Sequence, residues 1–199
     1  MKVSKINSLK NVINISLIII LFMSACSQSK KSDKTIPDNS TEAKIVVDKP
    51  SVNIHTAVLS GNLEMVKQHI EAGTNINEKE AMSGSTPLIT AASFDKPEIA
   101  KALIDANADL SLKNNDGATA LHSAAFFGRI EIVQMLIDAK ADKTIRNNFG
   151  ATPRESVMGN FAEVKPIYEM LKQQLQPMGF VLDMNELEKA RPVVAMMLQ

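Results

Sequence analysis

The sequence is poor in several residue types, and each shortage removes a class of protein. Cys26 is the only cysteine in 199 residues, so an internal disulfide is impossible and no Cys–His pair is available for catalysis. There is no tryptophan and only one tyrosine, and aromatics make up 4% of the chain. With 45% hydrophobic residues, that profile suits a helical stack packed by Ala, Ile, Leu and Met better than a β-sandwich. Charge of either sign is not in excess: 22 basic residues face 22 acidic ones, which argues against a nucleic-acid partner. No Gly-rich phosphate loop and no metal-ligand helix motif occurs, so neither a cofactor nor a metal is expected and no catalytic residue is assigned. The acids Glu64, Glu98 and Glu131 recur at helix starts, where the dipole favours them. Met65, Met135, Met170, Met196 and Met197 read as core filler.

One stretch, by contrast, returns at a fixed step. Gly84-Ser85-Thr86-Pro87-Leu88-Ile89-Thr90-Ala91-Ala92 comes back as Gly117-Ala118-Thr119-Ala120-Leu121-His122-Ser123-Ala124-Ala125 and, worn, as Gly150-Ala151-Thr152-Pro153-Arg154-Glu155-Ser156; the step is 33 residues each time. The segment after each copy repeats as well, with Ile99 to Asp109 aligning on Ile132 to Asp142. A 33-residue period around a T-P-L-H-x-A core is the ankyrin pattern, and the chain resembles the ankyrin-repeat family over roughly residues 51–176. The resemblance implies an all-α solenoid of about four helix-turn-helix repeats, with short β-hairpin loops, a C-terminal capping segment and a protein partner.

The recurring residues have physical reasons to recur. Thr86, Thr119 and Thr152 are good N-caps, and Pro87 and Pro153 suit a first helical turn, whose N–H lacks a partner in any case. Leu88 and Leu121 supply an apolar stripe, and the Ala-Ala pairs let inner helices approach closely. Gly117 and Gly150 suit a left-handed turn, and Asp95 stands where Gly61 and Gly128 stand in the other repeats. His55 and His122 share one repeat position, and the resemblance implies that such a histidine bonds loop backbone between repeats. His69, on an outer helix, is expected to face solvent. The first repeat, from about Ser51 to Asn77, lacks the full opening, and the fourth has Arg154 in place of the buried Leu; both read as caps. Residues 177–199 do not match the repeat. Asn185 is expected to cap a last helix that Pro192 interrupts, and the tail either folds back over the final repeat or is offered to a partner.

The amino terminus is a separate matter. Lys2, Lys5 and Lys10 precede an apolar run from Val12 to Met23, and Met23-Ser24-Ala25-Cys26 closes it with small residues. That run is too short for a comfortable membrane span and has the form of a signal peptide over residues 1–25. Cys26 stands where a bacterial lipoprotein carries its lipidated cysteine, although Met23 replaces the more usual Leu. An ordinary signal peptide cut after Ala25, or an uncleaved anchor, are the alternatives. The resemblance implies an extracytoplasmic protein held by lipid to a bacterial membrane, periplasm-facing or on an outer membrane. Removal of residues 1–25 leaves 19 basic and 22 acidic residues, a net charge of about −3. Residues 26–50 are rich in Ser, Lys, Asp, Thr and Asn and read as a flexible tether. Within them, Ile45-Val46-Val47 has the composition to add a strand or to pack on the first repeat.

Proteins of this family grip partners with hairpin tips and exposed inner-helix positions. Carried onto this chain, the tips are Lys79, Glu80 and Met82; Lys113, Asn115 and Asp116; Arg146, Asn148 and Phe149. The helix positions are Leu59, Ser60, Ser93, Phe94, Phe126 and Phe127. Phe94, Lys113, Asn115, Phe126, Phe127, Arg146 and Phe149 are the expected partner contacts, since aromatic and Arg residues commonly anchor interfaces. Phe94 and Phe127 have an alternative place, packed between helices.

Overall fold

Thr86 and Thr119 open their helices in the same way. Thr86 has extended backbone and its Oγ1 accepts the N–H of Ile89 at 3.2 Å, with Pro87 in the first turn. Thr119 Oγ1 accepts the N–H of His122 at 3.4 Å, and His122 Nδ1 reaches back to the Thr119 N–H at 3.3 Å. The cap is thereby reciprocal. Asn53 and Asn62 do the same for the first repeat, each accepting from the third residue on. The third threonine opens less. Thr152 Oγ1 accepts from Glu155, but only a 3-10 turn, Glu155–Val157, comes after it where the sequence predicts an inner helix.

The structure is a computed structural model and describes residues 50–199. The expected signal peptide over residues 1–25, Cys26, Ile45-Val46-Val47 and the rest of the expected tether to residue 49 lie outside the described residues. Among the described residues eight α-helices succeed one another: α1 Ile54–Leu59, α2 Leu63–Glu71, α3 Pro87–Ser93, α4 Pro97–Asp105, α5 Ala120–Phe126, α6 Ile130–Asp138, α7 Phe161–Leu175 and α8 Met184–Met197. The short helices α1, α3 and α5 form one layer and the longer α2, α4 and α6 a second, each packed on its predecessor. The hairpin loops between repeats close by backbone bonds such as Glu80 N–H to Ser85 O and Asn114 N–H to Ala118 O. No strand is assigned among the described residues.

Ala91, Ala92, Ala124 and Ala125 have no accessible surface, and Leu88, Ile89, Leu103, Leu121, Ile132 and Leu136 fill the space that the alanines leave. Each of these larger side chains contributes roughly 1.5–3 kcal/mol by leaving water. Asp95 takes the left-handed turn at φ 56°, as expected for the residue in the glycine's place. His69 corrects the sequence reading: it is 0% exposed, not on a solvent face. Its Nε2 meets the Val52 carbonyl at 2.7 Å and its Nδ1 the Thr74 hydroxyl at 3.1 Å. The ring thus ties the chain leading into α1 to the end of α2.

The last helix differs from expectation in two ways. Asp183, not Asn185, caps α8, accepting the N–H groups of Asn185 at 2.8 Å and Glu186 at 3.0 Å. Pro192 lies inside α8 without breaking it. It sits on the exposed side with Glu188, whose freed carbonyl water can serve, while Leu187, Ala190, Arg191, Val194 and Leu198 form the buried stripe. That stripe packs on α5, α6 and the 3-10 turn, so the tail folds back over the end of the stack. Arg154, in the place of the missing Leu, donates from Nε to the Ala195 carbonyl at 3.1 Å. Met170 and Met196 are exposed rather than core.

Candidate partner-binding face

Phe94 and Phe127 end α3 and α5 as C-caps, and Phe126 is the last residue of α5. The 33-residue step therefore brings Phe94 and Phe127 to one edge of the stack. That edge is covered by the chain itself. Phe180 stands between the two, with ring centroids 5.5 Å from Phe94 and 5.0 Å from Phe127, both edge-to-face. Tyr168 of α7 lies 4.6 Å from Phe126, and Leu182 and Leu187 complete the cluster. Phe94 is only 8% exposed. Phe94 is thus buried, against the expectation of an open contact, and Phe126 and Phe127 are half-buried, because the C-terminal segment supplies an apolar cover.

Polar bonds pin this cover. Arg129 Nη2 donates to the Val181 carbonyl at 2.7 Å, Nη1 reaches Asp95 at 3.2 Å, and the guanidinium lies 5.6 Å above the Phe180 ring. Burial pulls the Arg129 guanidinium below its ordinary pKa, and Asp95 acts in the opposite direction. Tyr168 donates its hydroxyl to the Phe126 carbonyl at 2.9 Å and accepts from Arg191 Nη1 at 2.7 Å. Burial pushes the Tyr168 pKa up to about 12, with Arg191 drawing it down.

The hairpin residues are spent in a second way. Lys79 Nζ donates to the Lys113 carbonyl at 2.6 Å, and Lys113 Nζ donates to the Arg146 carbonyl at 3.0 Å. Arg146 ends this row by turning to Glu155, with contacts of 2.6 and 3.2 Å. Asn115 donates its side chain to the Met82 carbonyl and its backbone N–H to the Ser83 carbonyl, both at 2.9 Å. One step on, Asn148 gives the same two bonds to Asn115 O and Asp116 O, again at 2.9 Å. Lys113 and Asn115 thus hold repeat to repeat, using donors that the sequence assigns to a partner, while the Arg146 guanidinium is engaged by Glu155. Among the expected contacts Phe149 stands out, 54% exposed at the end of the hairpin row, with Met82 69% exposed at its start.

His122 carries the inter-repeat role that the family resemblance implies, its Nε2 meeting the Ala151 carbonyl at 3.1 Å. Burial is the main cause that holds its pKa below the ordinary histidine value; the Ala151 bond raises it and Lys113 lowers it further. Burial likewise lowers His55, with Glu80 and Glu78 opposing. A histidine depressed on folding contributes stability fully above its unfolded pKa of about 6.5, and that contribution is lost as pH falls towards the folded value. The melting temperature is therefore expected to fall as pH is lowered from 7 to 5, and His122→Gln to flatten that slope. Calorimetry across this range checks it. Elsewhere, a shallow depression between α2 and α4 is lined by Lys67, Ile70, Ala102 and Asp105. Among the described residues no three His, Cys, Asp or Glu are placed to share a metal ion, and no helix is long and apolar enough to cross a membrane.

Residues 54–147 match the family model described as ankyrin repeats, in three copies. Human and mouse protein phosphatase 1 regulatory subunit 27 are each 45% identical over 64 residues, which is 32% of this chain and 41% of the relative. Human DNA-binding protein RFXANK is 36% identical over 59 residues, 30% of this chain and 23% of that one. The chain therefore spans less than half the length of these curated relatives. Among solved structures, the ankyrin repeat domain of Bcl-3, described as a member of the IkappaB protein family, superposes with a TM-score of 0.51 at 28% identity, covering 58% of this chain and 50% of that one.

Proposed function

Residues 54–147 are ankyrin repeats, and from that premise we propose that the protein is a non-catalytic, membrane-anchored module that grips another protein outside the cytoplasm. The observation that carries the binding role is Phe149, more than half exposed at the end of a row of turns that hydrogen bonds hold in register. A preorganised scaffold loses little entropy on docking, so one exposed aromatic contributes more there than on a mobile loop. The net charge of about −3 without residues 1–25 disfavours a phosphate backbone as the partner. The anchor is a lipid on Cys26, with residues 27–50 as the tether.

A second reading has its own support. The human relative is named as a regulatory subunit of a phosphatase, and on this reading the partner is an enzyme of the cell envelope, or a toxin, that the stack assists, protects or inhibits. Adding the purified stack would then change that enzyme's rate; an unaltered rate leaves plain binding.

Phe149→Glu is expected to leave the circular dichroism and melting temperature unchanged while abolishing photocrosslinking to the partner in intact cells. Undiminished crosslinking would move the binding face elsewhere. Cys26→Ser is expected to shift the protein from the membrane fraction to the soluble one. Retention in the membrane fraction without acylation would remove the lipid anchor from the proposal.

A further inference from the structure

The row of turns has a direction. Each turn after the first donates two bonds backwards, one from an Asn side chain and one from the same residue's N–H, to consecutive carbonyls of the preceding turn. Asn115 serves Met82 and Ser83; Asn148 serves Asn115 and Asp116. One more step of 33 residues names the next acceptors, the carbonyls of Asn148 and Phe149. No donor among the described residues reaches either of them.

The space beside them is vacant in the same register. A Cβ on Gly84 would lie 2.4 Å from Asn115 Oδ1, and one on Gly117 would lie 2.4 Å from Asn148 Oδ1, because the docked Asn occupies that side of each glycine. Gly150, the third glycine of the series, has nothing within 4 Å. Both sides of the vacant position are thus defined: two carbonyls in step, a bare glycine face and the exposed Phe149 ring.

We propose that this terminal rung is the docking position for a tight turn of the partner protein that presents an asparagine with a glycine two residues later. The Asn carboxamide donates to the Asn148 carbonyl, its own N–H donates to the Phe149 carbonyl, and its side chain lies on Gly150. The occupant's chemistry is read from the two filled rungs, both made by turns of this kind: Asn115-Asp116-Gly117 and Asn148-Phe149-Gly150. Main-chain pairing of this type supplies affinity, and the one side chain that must fit supplies selectivity. A second copy of this chain does not fill the place with its first turn, where Met82 stands in the Asn position. The inference rests on the reading of the stack as a protein-binding module and assigns that reading a location.

The test uses the isotope-labelled full chain and a head-to-tail cyclised peptide, Ser-Leu-Lys-Asn-Asn-Asp-Gly-Ala-Thr, the sequence of residues 111–119. Titration to millimolar peptide is expected to move the amide signals of Phe149, Gly150 and Ala151. Alanine in place of the peptide's second Asn should weaken binding about ten-fold through loss of the carboxamide bond. Gly150→Ala in the chain, checked for folding by circular dichroism, should abolish the shifts by filling the glycine face. Absence of shifts at these amides, equal binding of the alanine peptide, or unaltered binding to Gly150→Ala would each overturn the proposal. Photocrosslinking from Phe149 in cells separates the two levels. Capture that survives Gly150→Ala keeps the binding module but removes this rung from it, whereas absence of any capture counts against the module itself.

Discussion

Phe180→Ala is expected to cost about 3–5 kcal/mol, the range for deleting a buried ring. Phe180 is 2% exposed and sits against Phe94, Phe127 and the Arg129 guanidinium, so no neighbour can collapse into the space without leaving its own contacts. A domain of this size has about 5–15 kcal/mol in all, so the loss is a large share. The ring also fixes the segment between α7 and α8, whose Val181 carbonyl holds Arg129. Urea unfolding should show the lowered midpoint. Binding of a hydrophobic dye should rise as Phe94, Phe126 and Phe127 become reachable. A variant with an unchanged midpoint and no dye binding would mean that the segment is an ornament on a stack complete without it.

Gly117→Ala is the second large effect, and Gly150→Ala is its control. Gly117 has φ 72°, so any side chain there costs about 1–2 kcal/mol. Its Cβ would also lie 2.7 Å from the Asn148 backbone nitrogen, which cannot yield without breaking the bond to Asp116. Overpacking of this kind adds about 1–3 kcal/mol. Gly150 has a similar φ of 77° but no neighbour within 4 Å, so only the backbone cost applies. Thermal melts of the two variants should therefore differ, with Gly117→Ala lower. Equal melting temperatures would show that the turns do not press on one another as described.

The contrast between these glycines also shows what was legible from sequence. Thr86, Pro87, Leu88, Thr119, Leu121 and His122 act through neighbours three or four residues away or one repeat away, and the 33-residue step carries both relations. The same step placed Phe94 and Phe127 at one edge, yet nothing local says what lies over it. Phe180 and Tyr168 come from beyond the last regular repeat, where the period no longer guides. The tail's own stripe of Leu187, Ala190, Val194 and Leu198 has helical spacing, but Pro192 masks it until its exposed side is known. Lys113, Asn115 and Arg146 look like contacts for a stranger because they are polar and at loop tips. The recurrence of Asn115 as Asn148 is the signal that these asparagines serve the preceding turn instead. His69 escaped for another reason: its acceptor, the Val52 carbonyl, lies ahead of α1 at the edge of the atypical first repeat, where no pattern exists to align.

The cover over the aromatic edge is made after the repeats that it covers. Until Phe180 and the residues after it have emerged, Phe94 and Phe127 lack their cover, while α1 to α7 are already complete. A message cut short before Phe180 would therefore yield a product whose repeats can form but whose greasy flank is bare, marked for chaperones and proteases by the absence of its cover.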